Sequence, residues 1–133
     1  MQVAVLYVST ALPFFLVDLI GIKFLIRPMF EKHVGSLLAD PLRFWPAVAF
    51  YFAYVAGVIW FVSIPALRND AAFDALVFGA LLGLLCYGTY EMTNFATLAD
   101  WSWEQVLIDG IWGAFLTGVS AWFGVAIVTG KFG

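Results

Sequence analysis

Three carboxyl side chains lie in stretches of sequence that are otherwise apolar: Asp18, Glu91 and Asp109. A carboxyl group in hydrocarbon is costly, so such groups turn inward and often mark ion, proton or ligand sites. Three acids at one place must share protons, bind a cation or ligand, or pair with hydrogen-bond donors. Their chemistry therefore depends on whether the chain brings them together.

Polar aromatic side chains recur at helical spacing near these acids. Tyr51 and Tyr54 are three residues apart, and Tyr87 and Glu91 are four apart. Side chains at these spacings share one face of a helix, so each helix would present a polar patch to its neighbours. The predicted ligand site comprises Asp18, Tyr51, Tyr54, Tyr87, Tyr90, Glu91, Asn94, Asp109 and Trp112.

The composition indicates that lipid surrounds most of the chain. Of 133 residues, 64% are hydrophobic and 11% are charged, whereas a soluble domain is about half apolar and a quarter charged. Apolar stretches of 18 or more residues predict membrane helices. The sequence predicts a single all-α transmembrane domain over residues 1–133, a four-helix bundle with spans at about 3–26, 44–67, 71–94 and 103–129.

The starts of the helices and the first connection carry further signals. The first span is expected to end at Arg27-Pro28. A short interfacial helix or an ordinary loop then leads to the second span, because apolar residues recur at helical spacing between residues 30 and 38. Asn69 or Asp70 is expected to cap the third helix, and Ser102 with Gln105 forms a capping box for the fourth. The predicted interface anchors are Trp45, Trp101 and Trp103.

The three acids are expected at one depth because successive helices alternate in direction. Asp18, Glu91 and Asp109 all fall in the third of the membrane next to the first and third loops. Lys23 and Arg27, one and two turns beyond Asp18, would partly compensate the negative charge. This polar layer is either a binding site or a purely structural cluster of hydrogen bonds between helices. In the second case the tyrosines and Asn94 donate hydrogen bonds to the carboxylates.

Several functional classes lack support in the sequence. The net charge of −3 argues against nucleic acid as a partner. The lone Cys86 is expected to be a buried small hydrophobe, and His33 an exposed interfacial side chain. No metal-binding motif is present, and the residues indicate neither a cofactor nor an enzymatic activity.

Small residues predict close helix packing. Gly110, Ala114 and Gly118 form one row on the fourth helix, and Gly113, Thr117 and Ala121 form another. Gly79 and Gly83 lie on the third helix. One row is expected to remain for a second copy of the chain or for a larger membrane complex.

The segment Tyr90-Glu91-Met92-Thr93-Asn94-Phe95-Ala96-Thr97-Leu98, followed by Trp101 and Asp109-Gly110-Ile111-Trp112-Gly113, resembles a known family. That family is called domain of unknown function 2177, and the resemblance extends over nearly the whole chain. It implies four helices in a bacterial inner membrane, and it implies no reaction. The family usually has aspartate where this chain has Glu91, so the acid here is one methylene longer.

The sequence therefore favours a small membrane protein that binds a polar or cationic small ligand, or a lipid headgroup, from the cytoplasmic side. One alternative is an accessory subunit that docks on a larger complex or binds a pigment or quinone. A weaker alternative is a lipid-modifying enzyme with Asp18 or Glu91 as general base.

The positive-inside rule predicts that both termini are non-cytoplasmic. Four Lys or Arg residues lie at or near the first loop, against Arg68 and Lys131 on the other side. A reporter active only in the cytoplasm should therefore be inactive when fused after Gly133 and active when fused after Ala99 in the third loop. The reverse pattern of reporter activity would overturn this orientation.

Overall fold

A computed structural model describes residues 2–131, which are almost entirely helical. Helix α1 (Gln2–Gly21) continues through a π-helical turn (Ile22–Ile26) into α2 (Arg27–Val34) and a 3-10 turn (Gly35–Leu37). Helix α3 (Trp45–Val58) continues through a second π-helical turn (Ile59–Ser63) into α4 (Ile64–Arg68). Helices α5 (Ala72–Thr97) and α6 (Trp103–Thr129) complete the chain.

Four helical segments are long and apolar enough to cross a membrane, as the hydropathy pattern predicts. They are Gln2–Leu37, Trp45–Arg68, Ala72–Thr97 and Trp103–Thr129. The fourth is the central helix, because half of its most apolar stretch is buried, against 22–28% in the other three.

The predicted end of the first helix at Arg27-Pro28 is wrong. The amide of Arg27 donates to the carbonyl of Ile22, five residues back, which is the hydrogen bond of a π-helical turn. Pro28 follows at the start of the next α-helical segment, where a missing N–H is tolerated. The amphipathic segment after Ile26 is therefore helical, but it continues the first span without a loop.

The small residues of α5 and α6 bring these two helices into backbone contact. A Cβ added to Gly83 would collide with the carbonyl of Gly113, and one added to Gly118 would lie 2.8 Å from the carbonyl oxygen of Leu76. Both small-residue rows of α6 thus contact α5 inside the chain. A Cβ at Gly110, in contrast, would meet no atom within 4 Å.

Polar contacts at the two ends of the bundle fix the loops. At one end Lys131 Nζ contacts Asp70 Oδ2 at 2.7 Å. Asp70 does not cap α5, and neither does Asn69, because the capping position is Ala71 and no side chain bonds there. The capping box of α6 is confirmed, since the backbone N–H of Gln105 donates to Ser102 Oγ at 3.2 Å.

At the opposite end, a contact with α6 anchors the extended first helix. His33 Nε2 lies 3.1 Å from Glu104 Oε1, and the His33 side chain is partly buried. The prediction of an exposed interfacial histidine is therefore wrong, because α2 continues far enough to reach the start of α6. Cys86, predicted to be buried, is exposed on α5, since the second span does not cover that face.

We expect Gly83→Ala to destabilise the bundle by about 1–3 kcal/mol, because its methyl group overlaps the backbone of α6. Gly88→Ala, five residues further along α5, is the matched control, because a Cβ there meets no atom within 4 Å. The free energy of unfolding in mixed detergent micelles measures both. Equal stability of the two variants would show that α5 and α6 do not pack as described.

Candidate ligand-binding site

The structure brings the three intramembrane acids together and turns all of them inward. Asp18 on α1, Glu91 on α5 and Asp109 on α6 are 4%, 0% and 7% exposed. The carboxyl of Asp109 interacts with those of Glu91 and Asp18. No salt bridge within residues 2–131 reaches any of the three, so the cluster concentrates negative or protonated groups without a basic partner.

An indole N–H orients Asp18. Trp112 Nε1 on α6 donates to Asp18 Oδ1 over 3.3 Å. The ring of Trp112 fits against α1 only because residue 21 is glycine, where any Cβ would collide with the indole. Gly21 and Trp112 thereby tie α1 to α6 at the level of the acid.

A second indole holds Glu91. Trp101 Nε1 donates to Glu91 Oε1 over 2.8 Å, and the other carboxyl oxygen, Oε2, has no hydrogen-bond partner among the described residues. Trp101 packs edge-on against Phe30 and Tyr90. The prediction that Trp101 is an interface anchor is therefore wrong: it is 9% exposed, whereas Trp103 is 54% exposed.

The tyrosines form an aromatic wall beside the acids, but not all of them as predicted. The hydroxyls of Tyr54 and Thr117 hydrogen-bond at 2.8 Å, and among the described residues Thr117 is a side-chain partner of Tyr54 in place of the predicted carboxylate. The ring of Tyr87 lies over Gly113 and contacts that of Tyr54 edge-on. Asn94, predicted to reach the acids, lies beside Tyr90 and forms no hydrogen bond with the two indole-bound carboxyls among the described residues.

The basic residues expected to compensate Asp18 point elsewhere. Lys23 is exposed, and its ammonium lies 5.4 Å from the centroid of the Phe24 ring. Arg27 pairs with Glu31 at 2.9 Å. The prediction that Lys23 and Arg27 partly compensate the negative charge is wrong, because the turn of the helix places them on its outer side.

The second span leaves a cleft beside the acids. Helix α3 is fastened to α1, where the hydroxyl of Tyr7 donates to the carbonyl of Phe52 over 2.7 Å. From the second π-helical turn onward the same span packs on α5 and α6. On the other side of this turn α3 reaches α5 through the Tyr54–Tyr87 ring contact, and a gap remains between the two helices.

This cleft has a volume of about 450 Å³. It opens sideways past Phe50 and Tyr90, which are exposed at the outer surface of the bundle. Asp109 is the one carboxylate among the described residues that line it. The lining residues are Ile22, Ile26, Phe30, Phe50, Tyr51, Tyr54, Cys86, Tyr87, Tyr90 and Asp109.

Residues 3–126 match the family described as "Predicted membrane protein (DUF2177)". The chain belongs to this family. Because the match covers most of the sequence, it confirms the resemblance carried by the residues between Tyr90 and Gly113. Together with its four apolar helices, membership makes this DUF2177 protein a multi-pass membrane protein. No curated protein and no solved structure is significantly similar to the chain.

Sequence reasoning overlooked three contributors to the site of this DUF2177 protein. Trp101 and Thr117 are the hydrogen-bond partners of Glu91 and Tyr54, and Phe14 packs its ring against those of Tyr51 and Tyr54. The sequence did contain a signal for the role of Trp101. This tryptophan lies in the short loop that follows α5, so it stays close to Glu91 near the end of that helix.

We expect Trp101→Phe to lower the free energy of unfolding by about 1–3 kcal/mol, because it leaves the buried Glu91 carboxyl without its donor. Trp103→Phe removes an exposed indole and should change stability by less than about 0.5 kcal/mol. In a Glu91→Leu background the cost of Trp101→Phe should shrink. A cost that is the same in both backgrounds would contradict the assigned hydrogen bond.

Proposed function

We propose that this protein binds the cationic or hydrogen-bond-donating head of an amphiphilic ligand in the cleft between α3 and α5. The observation that carries the proposal is a membrane-level cleft that opens sideways and has Asp109 in its lining. A ligand dissolved in the bilayer would enter between the two helices, place its polar end near Asp109 and leave its apolar part towards lipid.

The size and lining of the cleft suit such a ligand. Its volume of about 450 Å³ falls in the range of about 300–1,000 Å³ that is typical of small-molecule sites. Aromatic rings dominate the walls, and the faces of tyrosine rings attract cations. The isoleucines of the first π-helical turn and Phe50 supply apolar contacts for a chain.

The charge of the cluster favours a cationic head over an anionic one. Asp18, Glu91 and Asp109 lie together without a basic partner in residues 2–131. An anion would face repulsion from any ionised member of this cluster, whereas a cation would replace the missing countercharge. The fully buried carboxyl of Glu91, which interacts with that of Asp109, adds to the negative charge that the cluster carries when ionised.

The cleft lies at the end of the bundle that carries the first and third loops, since Phe30 of α2 belongs to its lining. With the orientation that the positive charges predict, this is the cytoplasmic half of the membrane. We therefore propose that the ligand binds from the cytoplasmic side of a bacterial inner membrane.

The two alternatives, an accessory subunit of a larger complex and a lipid-modifying enzyme, stay predictions from the sequence.

Cys86 provides a direct test, because it lines the cleft and is the only cysteine in the sequence. Dodecylammonium should slow the reaction of Cys86 with a maleimide several-fold, because the bound ligand covers the thiol. Dodecanol, which has the same chain without the positive charge, should protect less. The measurement is the rate of maleimide labelling of the detergent-purified protein.

Asp109→Asn supplies the matched variant, since it keeps the shape of the side chain and removes its charge. It should reduce protection by dodecylammonium to the level given by dodecanol. Equal protection by the two compounds in the parent protein would contradict recognition of a cation. Absence of protection by either would contradict binding in the cleft.

A further inference from the structure

We propose a second ligand site in this protein: a groove on the outer side of the first helix that binds one anionic phospholipid. The groove has a volume of about 480 Å³ and lies between the first helix and the segment that leads into α3. The groove shares Ile22, Ile26 and Phe30 with the cleft. It differs in charge, because Asp109 lines the cleft and not the groove, whereas Lys23 and Arg27 line the groove and not the cleft.

The charges of the groove fit an anionic headgroup. Lys23 and Arg27 are four residues apart and therefore share a helix face. They are the only charged side chains among the described residues that line the groove. Glu31, outside the groove, pairs with Arg27, and no carboxylate in residues 2–131 forms a salt bridge with Lys23. The pair thus retains a net positive charge for a phosphate.

The apolar lining fits an acyl chain. The first helix contributes a continuous stripe from Leu19 to Phe30, and the opposite wall contains Leu38, Leu42 and Phe44. Leu19 lies eight residues before Arg27, which corresponds to about 12 Å along the helix axis. A phospholipid placed with its phosphate at Lys23 and Arg27 would run its chain along Leu19 into the membrane.

The position of Lys23 favours a lipid over a soluble anion. Lys23 belongs to a membrane-spanning segment, Gln2–Leu37, and its side chain is exposed on the outer surface of the bundle. Lysines at such depths extend their ammonium groups towards the headgroup layer. An anion that contacts Lys23 and the apolar stripe at once must carry its own hydrocarbon.

Native mass spectrometry of the detergent-purified protein tests the proposal with an equimolar mixture of dioleoyl phosphatidylglycerol and dioleoyl phosphatidylcholine. The parent should retain phosphatidylglycerol preferentially. Lys23→Gln and Arg27→Gln should each lower that preference about fivefold, and Lys23→Arg should restore it. Arg68→Gln, which removes an exposed cation from the opposite end, should leave it unchanged.

Three results would overturn the proposal. One is equal retention of the two lipids by the parent. Another is an equal loss of preference in Arg68→Gln and in the groove variants, which would indicate a general charge effect. The third is a rise in Tm with soluble glycerol 3-phosphate that matches the rise with phosphatidylglycerol, which would assign the groove to a free phosphate. The Tm of each variant, measured without added phospholipid, verifies that the variant is folded.

Discussion

A carboxyl group cannot face hydrocarbon without a large cost, and this constraint governs the arrangement of the bundle. Asp18, Glu91 and Asp109 are all turned inward and nearly or fully buried. Two of them are held by indole N–H groups, from Trp112 and Trp101. These neutral donors fix the carboxyls without supplying a countercharge, so the cluster keeps its capacity to attract a cation.

The packing of the helices leaves a cleft beside this cluster. Glycines on α5 and α6 bring the two backbones into contact, which makes α6 the buried centre of the bundle. Helix α3 instead follows α1 and reaches α5 through the Tyr54–Tyr87 ring contact, whereas the span packs closely on α5 from its π-helical turn onward. The space left between α3 and α5 is the cleft, and Asp109 on the central helix reaches its inner surface.

The inner and outer sides of the first helix carry side chains of opposite charge. Asp18 faces the interior, while Lys23 and Arg27 lie on the outer side. One helix thus presents an acid to the interior of the bundle and a basic face to the outer groove. The proposed cationic ligand is matched to the acid cluster, and the proposed anionic ligand to the basic face.

Hydropathy and helix periodicity were sufficient to predict four spans, the inward acids and the capping box of α6, because each depends on local spacing and on the cost of polar groups in lipid. They were not sufficient to predict that the first helix passes through Pro28, since a π-helical turn leaves no periodic signal in the sequence. The role of Trp101 depends on how a loop folds back over Glu91. The cleft depends on how far α3 lies from α5. The spacing of residues within each helix does not determine this distance.

Photolabelling with a diazirine-bearing alkylammonium tests most directly whether a cationic amphiphile occupies the cleft. We expect mass spectrometry to locate the label on Tyr51, Tyr54 or Tyr87, and excess dodecylammonium to suppress the labelling. Occupation of the cleft would be contradicted if the label were found only on outward residues such as Leu12 and Phe61, which are exposed on the bundle surface, and if the competitor did not reduce it.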